Sequence, residues 1–127
     1  MAESVGYESV QIENIEDDDG LYRRLSPDQM YPDGTVNSNA FKSGGKPDAS
    51  ISVDLAKLTT AQDALARGGN RPGFAVGELF ARLPRDLGFS VRHHPLPDDN
   101  AHSLIEGEND RKKCRLLAET TTVVIRS

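Results

Sequence analysis

Ile51-Ser52-Val53-Asp54-Leu55-Ala56-Lys57-Leu58-Thr59-Thr60-Ala61-Gln62-Asp63-Ala64-Leu65-Ala66-Arg67-Gly68-Gly69 contains both periodicities that a mixed domain needs. Residues 51–55 alternate apolar and polar side chains, the period of a strand with one face buried. Thr59 or Thr60 then offers a hydroxyl to cap a helix running to about Arg67, and the glycine pair ends it. A short strand followed by a short helix sets the grain of the chain.

Toward the N-terminus, residues 21–25 read as a strand stopped by Ser26-Pro27-Asp28, where proline fixes φ and aspartate closes a turn. Residues 26–49 read as a loop in which only Val36, Ala40 and Phe41 look buried. A loop of that length in a small domain is more often functional than idle. Toward the C-terminus, residues 74–76 suggest a strand. Residues 78–87 suggest a helix with Leu79, Phe80 and Leu83 inward, shortened or kinked by Pro84. Strands are expected at 89–91, 101–105 and 121–125, and a helix from an Asn109 or Asp110 cap to about Glu119. About five short strands and three short helices give an α+β domain over residues 21–127, preceded by an acidic flexible arm, residues 1–20.

The 127 residues suit one domain; 36% are hydrophobic, Trp is absent, and the core must be aliphatic. The net charge of -5 is unevenly placed. Residues 1–20 carry seven acids and no base, which leaves thirteen acids against fifteen bases in the rest. The body is therefore slightly basic and is not barred from anionic ligands. Five apolar residues in the arm (Val5, Tyr7, Val10, Ile12 and Ile15) leave two readings open, a solvated tail or a segment that orders on a partner or on the body. No run approaches the roughly 18 apolar residues of a spanning helix, and the Met1 end is acidic. The expectation is a cytoplasmic protein without membrane contact. Cys114 stands alone, so neither an internal disulfide nor a cysteine-based zinc site is expected from this chain, and no cofactor is assigned.

All three histidines fall between residues 93 and 102. His93, His94, Asp98, Asn100 and His102 crowd a loop stiffened by Pro95 and Pro97, and histidine moves protons near neutral pH. Compact zinc spacings are absent, so no metal is expected. His102, at the junction of loop and strand, is the favoured catalytic histidine. The plainer reading lets Asp99 and Asn100 close the turn and His102 satisfy a buried carbonyl. Arg23 and Arg24, adjacent in the first strand, must face opposite sides, so one can point into a cleft toward a carboxylate or phosphate. Ser43-Gly44-Gly45-Lys46 and Gly68-Gly69-Asn70-Arg71 set flexible backbone beside a cation without the spacing of a P-loop. Arg111, Lys112, Lys113 and Arg115 surround Cys114 on the last helix, a basic cluster suited to an acidic partner or to nucleic acid.

Leu21-Tyr22-Arg23-Arg24, Ser38-Asn39-Ala40-Phe41, Ser52-Val53-Asp54-Leu55 and Pro95-Leu96-Pro97-Asp98-Asp99-Asn100-Ala101-His102 resemble a family of small bacterial proteins without a settled activity. A looser resemblance is to ADP-ribosyltransferase-like folds. These often open with a strand bearing Arg or His, continue with a serine-bearing strand, and end with an acidic residue or Gln near the catalytic edge. Arg23, Ser52 and Glu106 are the nearest matches, without the usual Ser-Thr-Ser or Tyr context.

Two functions follow as expectations. The first is an accessory protein binding a protein partner through loop 93–102 and the arm. The second is a nucleotide- or nucleic-acid-directed enzyme in which Arg23 holds phosphate, His102 moves a proton or orients a ribose, and Glu106 stabilises positive charge. Nucleic-acid binding through residues 111–115 is a further alternative.

Overall fold

The computed structural model describes residues 11–42 and 48–127. Six strands form one antiparallel sheet: β1 Gly20–Leu25, β2 Asp48–Leu55, β3 Ala75–Phe80, β4 Ser90–His93, β5 His102–Glu108 and β6 Thr122–Arg126, in the order β4-β5-β2-β1-β3-β6. Three helices join them: α1 Ala61–Arg67, α2 Arg82–Asp86 and α3 Arg111–Glu119. Thr60 caps α1 by accepting from the Asp63 N–H, and Asp110 caps α3 by accepting from the Lys113 N–H. The α+β class stands, with six strands where about five were expected.

One face of the sheet carries the main core. Leu21, Leu25, Val53, Leu55, Leu79, Val91 and Ile105 meet Phe41 from the 3-10 turn Ser38–Phe41 and Cys114, Leu117 and Ala118 from α3. The other face is covered only in part. There α1 lays Ala64 and Leu65 on Val76, with Tyr22, Phe74 and Ile125 around them. Across β2, β5 and β4 this second face leaves Ser50, Ser52 and Arg92 exposed, while His102 and Leu104 on the same face are buried.

The helix expected over 78–87 divides into the last residues of β3 and the short α2. Ala75, Val76 and Leu79 are all fully buried because β3 lies between β1 and β6 and is covered on both faces, which erases the polar alternation. Leu79, Phe80 and Leu83 then mimic a helical stripe, yet Phe80 at the end of β3 is exposed. Gly77 is needed at the β3–β6 irregularity, since a Cβ there would lie 2.5 Å from Thr121 Cγ2.

Residues 11–19, counted above in the arm, lie against the body. Ile15 is buried in the main core. The Glu13 N–H donates to His93 Nδ1 at 2.9 Å, Arg85 pairs with Asp17 at 2.9 Å, and the Ala81 and Arg82 N–H groups donate to the Asp19 and Asp17 carbonyls. Val5, Tyr7 and Val10 fall outside the described residues. Ile15→Ala should therefore lower unfolding stability by about 2 kcal/mol, the low end for a buried aliphatic truncation. Urea titration measures it, and a loss too small to resolve would mean the segment does not hold the body.

Candidate functional site

β1 and β2 pair only at Leu21 with Leu55 and Tyr22 with Asp54, whereas β1 pairs with β3 along its whole length. Beyond Tyr22 the two strands part, and the Arg23 side chain fills the opening. Its Nε donates to the Ala40 carbonyl at 3.0 Å and its Nη1 to the Ser52 carbonyl at 2.8 Å, with the Phe41 ring centroid 6.0 Å from the guanidinium. No carboxylate among the described side chains pairs with it. Burial, and then the charge of Arg24, pull its pKa down to about 10, so it remains a cation at neutral pH. A half-buried cation held by carbonyls alone is an unusual arrangement, since buried charges are normally paired.

The same Ser52 offers its hydroxyl to the open face. Ser52 Oγ lies 3.2 Å from His102 Nε2, and His102 Nδ1 lies 2.8 Å from the His94 carbonyl. A carbonyl only accepts, so Nδ1 carries the proton and Nε2 keeps a lone pair for the serine O–H; the tautomer is assigned from these partners. The His94 ring stands edge-on to His102, centroids 5.2 Å apart. Ser52 thus links two faces of the sheet: its carbonyl takes Arg23, which lies on the core face of β1 beside Phe41, and its hydroxyl meets His102, the first residue of β5, on the open face.

Beside it sits a group of charges the sequence reading missed. Asp54, opposite His102 in the β2–β5 ladder, is almost fully buried. Arg24 Nη1 and Arg67 Nη2 donate to its Oδ2 at 3.1 and 3.0 Å. Arg67 also reaches Thr59 Oγ1 and lies 3.4 Å from Asp99 Oδ1 through Nε. Burial alone would raise the Asp54 carboxyl, but a hydrogen bond from Asp99 and the two guanidinium groups outweigh it and hold the pKa below the usual value. Asp99 moves the other way. Burial, then the hydrogen bond and charge of Asp54, push it up to about 6 against the pull of Arg67 and the Ala101 N–H. Alternation alone would have left Asp54 on a solvent face; the side chains of Arg24 and of Arg67, the last residue of α1, close over it.

The remaining candidates are dispersed. Glu106 lies on β5 with Arg92 Nε donating to it at 2.7 Å, and that ion pair holds its pKa down. No bond joins Glu106 to Arg23 or His102. His93 points into the body, with Nδ1 accepting from Glu13 and Nε2 donating to the Asn100 carbonyl at 2.6 Å. Asp98 and Asn100 are exposed on the loop. Arg111, Lys112 and Arg115 are exposed along α3, while Lys113 covers the Phe89 ring at 5.1 Å. Cys114 is buried, donates to the Phe41 carbonyl, and has its pKa raised by burial, the setting of a packing residue. Ser43-Gly44-Gly45-Lys46 lies outside the described residues. Among the described residues, no three His, Cys, Asp or Glu side chains are grouped to hold a metal, and no helix is long and apolar enough to cross a membrane.

Comparison with known proteins finds no match among family models, curated proteins or solved structures.

Proposed function

We propose that the split between β1 and β2, with the open face beside it, is the active site of a nucleotide-directed enzyme of the ADP-ribosyltransferase-like kind. One observation carries the reading. Arg23, a cation without a carboxylate partner among the described side chains, is bonded to the backbone of the serine whose hydroxyl is bonded to His102. Such a cation suits a phosphate, which guanidinium groups bind through paired N–H donors. The His102 lone pair at Nε2 suits a proton acceptor. The resemblance placed Arg on the first strand and Ser on the next, and here β1 and β2 are neighbours with β5 on the far side of β2.

The chemistry balances as follows. The bond from ribose C1′ to the base nitrogen breaks and its electron pair leaves with the base. Water or an acceptor hydroxyl adds to C1′ and gives its proton to His102 Nε2 once substrate has displaced the Ser52 O–H from it. Glu106 faces the same side of β5 as His102 but stands four residues along the strand in its pair with Arg92, so it takes no part in the step.

The test uses NAD as the probe and follows both its binding and the release of nicotinamide. His102→Ala should leave the Kd for NAD within threefold while lowering turnover by roughly a hundredfold, the lower end of general-base effects. Arg23→Lys, which keeps the charge and loses the planar fork, should weaken binding about tenfold. Wild-type protein that neither binds nor cleaves NAD at millimolar concentration would overturn the reading, as would undiminished turnover in His102→Ala.

A second reading, an accessory domain that binds a protein partner through loop 93–102, is favoured by Leu96, an apolar side chain left exposed on that loop beside exposed Asp98 and Asn100.

A further inference from the structure

Asp54 Oδ1 is buried, and among the described residues no N–H or hydroxyl donates to it. Leaving a carboxylate oxygen that way is costly, because the group gives up water and gains nothing. Asp99 is drawn to its side, because one guanidinium, that of Arg67, bridges Asp54 Oδ2 at 3.0 Å and Asp99 Oδ1 at 3.4 Å. Its Oδ1 is already committed, accepting the Ala101 N–H at 3.1 Å and facing Arg67 Nε at 3.4 Å. Its other oxygen can carry a proton to Asp54 Oδ1. The charged groups around the pair agree with a single shared proton. Arg24 from β1 and Arg67 from α1 face two carboxyls, and no further cation pairs with either acid among the described residues. His102 stands next to Asp54 across the ladder, and His94 stands beyond it.

The same aspartate fixes where β5 begins. The Asp99 carbonyl accepts the His102 N–H at 3.2 Å, and Asp99 closes a two-way backbone bridge with Leu96. The Ala101 carbonyl, one residue on, takes the Leu55 N–H at 2.7 Å, and the Asn100 carbonyl takes His93 Nε2–H. Loosening Asp99 from Asp54 releases the turn that holds both ends of the His94 to His102 hydrogen bonds.

We propose that Asp54 and Asp99 share one proton, and that through it Asp99 acts as a positioning residue that latches loop 94–101 and aims His102 at Ser52. The proposal rests on the reading of His102 as the proton-moving group, and it adds a regulation of that site. When the proton leaves, two buried carboxylates face each other, the latch weakens, and His102 loses the carbonyl that fixes its tautomer. The site is firm in mildly acidic solution and loosens as the pH rises through the transition of the pair.

The test compares wild type, Asp99→Asn and Asp99→Ala in two measurements that do not require turnover. Asparagine donates an N–H to Asp54 Oδ1 without titrating, so it keeps the latch at every pH. Urea unfolding between pH 4 and 8 reads the first effect. Asp99 has a folded pKa raised from 3.8 to about 6, so its contribution is present at the acid end and is lost as the pH rises through about 6. The wild type should thus fall relative to Asp99→Asn by roughly tenfold or more in the unfolding equilibrium constant across that range. Both proteins carry the same three histidines, so the difference between the curves isolates Asp99. Nitrogen NMR of the His102 ring at pH 7 reads the second. The Nδ1–H signature should persist in Asp99→Asn and move toward the free-imidazole mixture in Asp99→Ala. Parallel stability curves for wild type and Asp99→Asn would overturn the proposal, as would an unchanged His102 signature in Asp99→Ala. If NAD is neither bound nor cleaved while both effects appear, the catalytic reading falls and the latch stands.

Discussion

Asp54→Ala is expected to destabilise the protein by about 3 kcal/mol, the low end for removing one partner from a buried charged cluster. The carboxylate is the common acceptor of Arg24 and Arg67, whose side chains are themselves 35% and 29% exposed. That partial exposure is the reason for choosing the low end. Without Asp54 the two cations face each other with only Asp99 between them, and β1, β2 and α1 lose the tie that joins them on the open side of the sheet. Asp54→Asn, which keeps an acceptor but not the charge, should lose less than half as much. The acid limb has the opposite sign to that of Asp99. A pKa held below 3.8 means the Asp54 contribution is present above that value and is lost as the pH falls through the lowered one. Stability from the pair should therefore peak in mildly acidic solution, between the loss of the Asp54 charge below and the loss of the Asp99 proton above. Urea titrations from pH 3 to 8 measure both limbs; an Asp54→Ala protein within 0.5 kcal/mol of wild type at pH 6 would show the cluster to be surface decoration.

The elements that read clearly from the residues are those with one buried face. Ile51, Val53 and Leu55 point inward while Ser52 stays exposed, and β2 keeps that alternation. The Thr60 and Asp110 caps, and Gly68 after α1, mark helix ends through local chemistry that needs no partner. Residues 75–80 misled because β3 is buried from both sides, so its pattern no longer distinguishes strand from helix. For the arm two readings stood open, and residues 11–19 follow the second, lying on the body. Seven acids in twenty residues argue for solvation, but Ile15 finds the core and Lys57 pairs with Asp19 at 3.2 Å, contacts formed by residues far apart in the chain.

The site was legible as a set of residue types but not as an arrangement. Arg23 stood out by its place in the first strand and His102 at the junction of loop and strand, while Ser52 entered only through the resemblance. That Ser52 joins the other two, by its carbonyl on one side and its hydroxyl on the other, depends on β1 parting from β2 after two residue pairs. Nothing local to residues 20–25 announces that parting. Beside it lies the 38–41 turn, distant in sequence, whose Ala40 carbonyl takes the Arg23 Nε–H. The Asp54, Asp99 and Arg67 group was harder still. Asp99 looked like a turn residue, which it also is, and only the return of α1 over the sheet gives its second function.

Phe41→Ala carries the second large effect, because that ring joins the core to the site. Phe41 is fully buried, and its carbonyl receives both Asn109 Nδ2–H at 2.9 Å and the Cys114 thiol at 3.3 Å, so the turn is moored to α3. Truncation should cost about 4 kcal/mol, typical of a buried phenylalanine. The turn that it anchors also presents the Ala40 carbonyl, and the ring itself lies beneath the Arg23 guanidinium. A loosened turn frees Arg23 to swing out of the split, so the loss should extend beyond stability. At a temperature where the variant is still folded, NAD affinity should fall about tenfold, as for loss of the guanidinium fork itself. Phe41→Leu separates the two effects. It fills most of the volume and should restore more than half of the stability, while the missing ring face still leaves Arg23 less restrained and binding weaker than wild type. If Phe41→Ala unfolded as wild type does, the turn would not be part of the core. If it lost stability but bound NAD as wild type does, the mooring of Arg23 by this turn would be refuted and the phosphate would have to be held elsewhere.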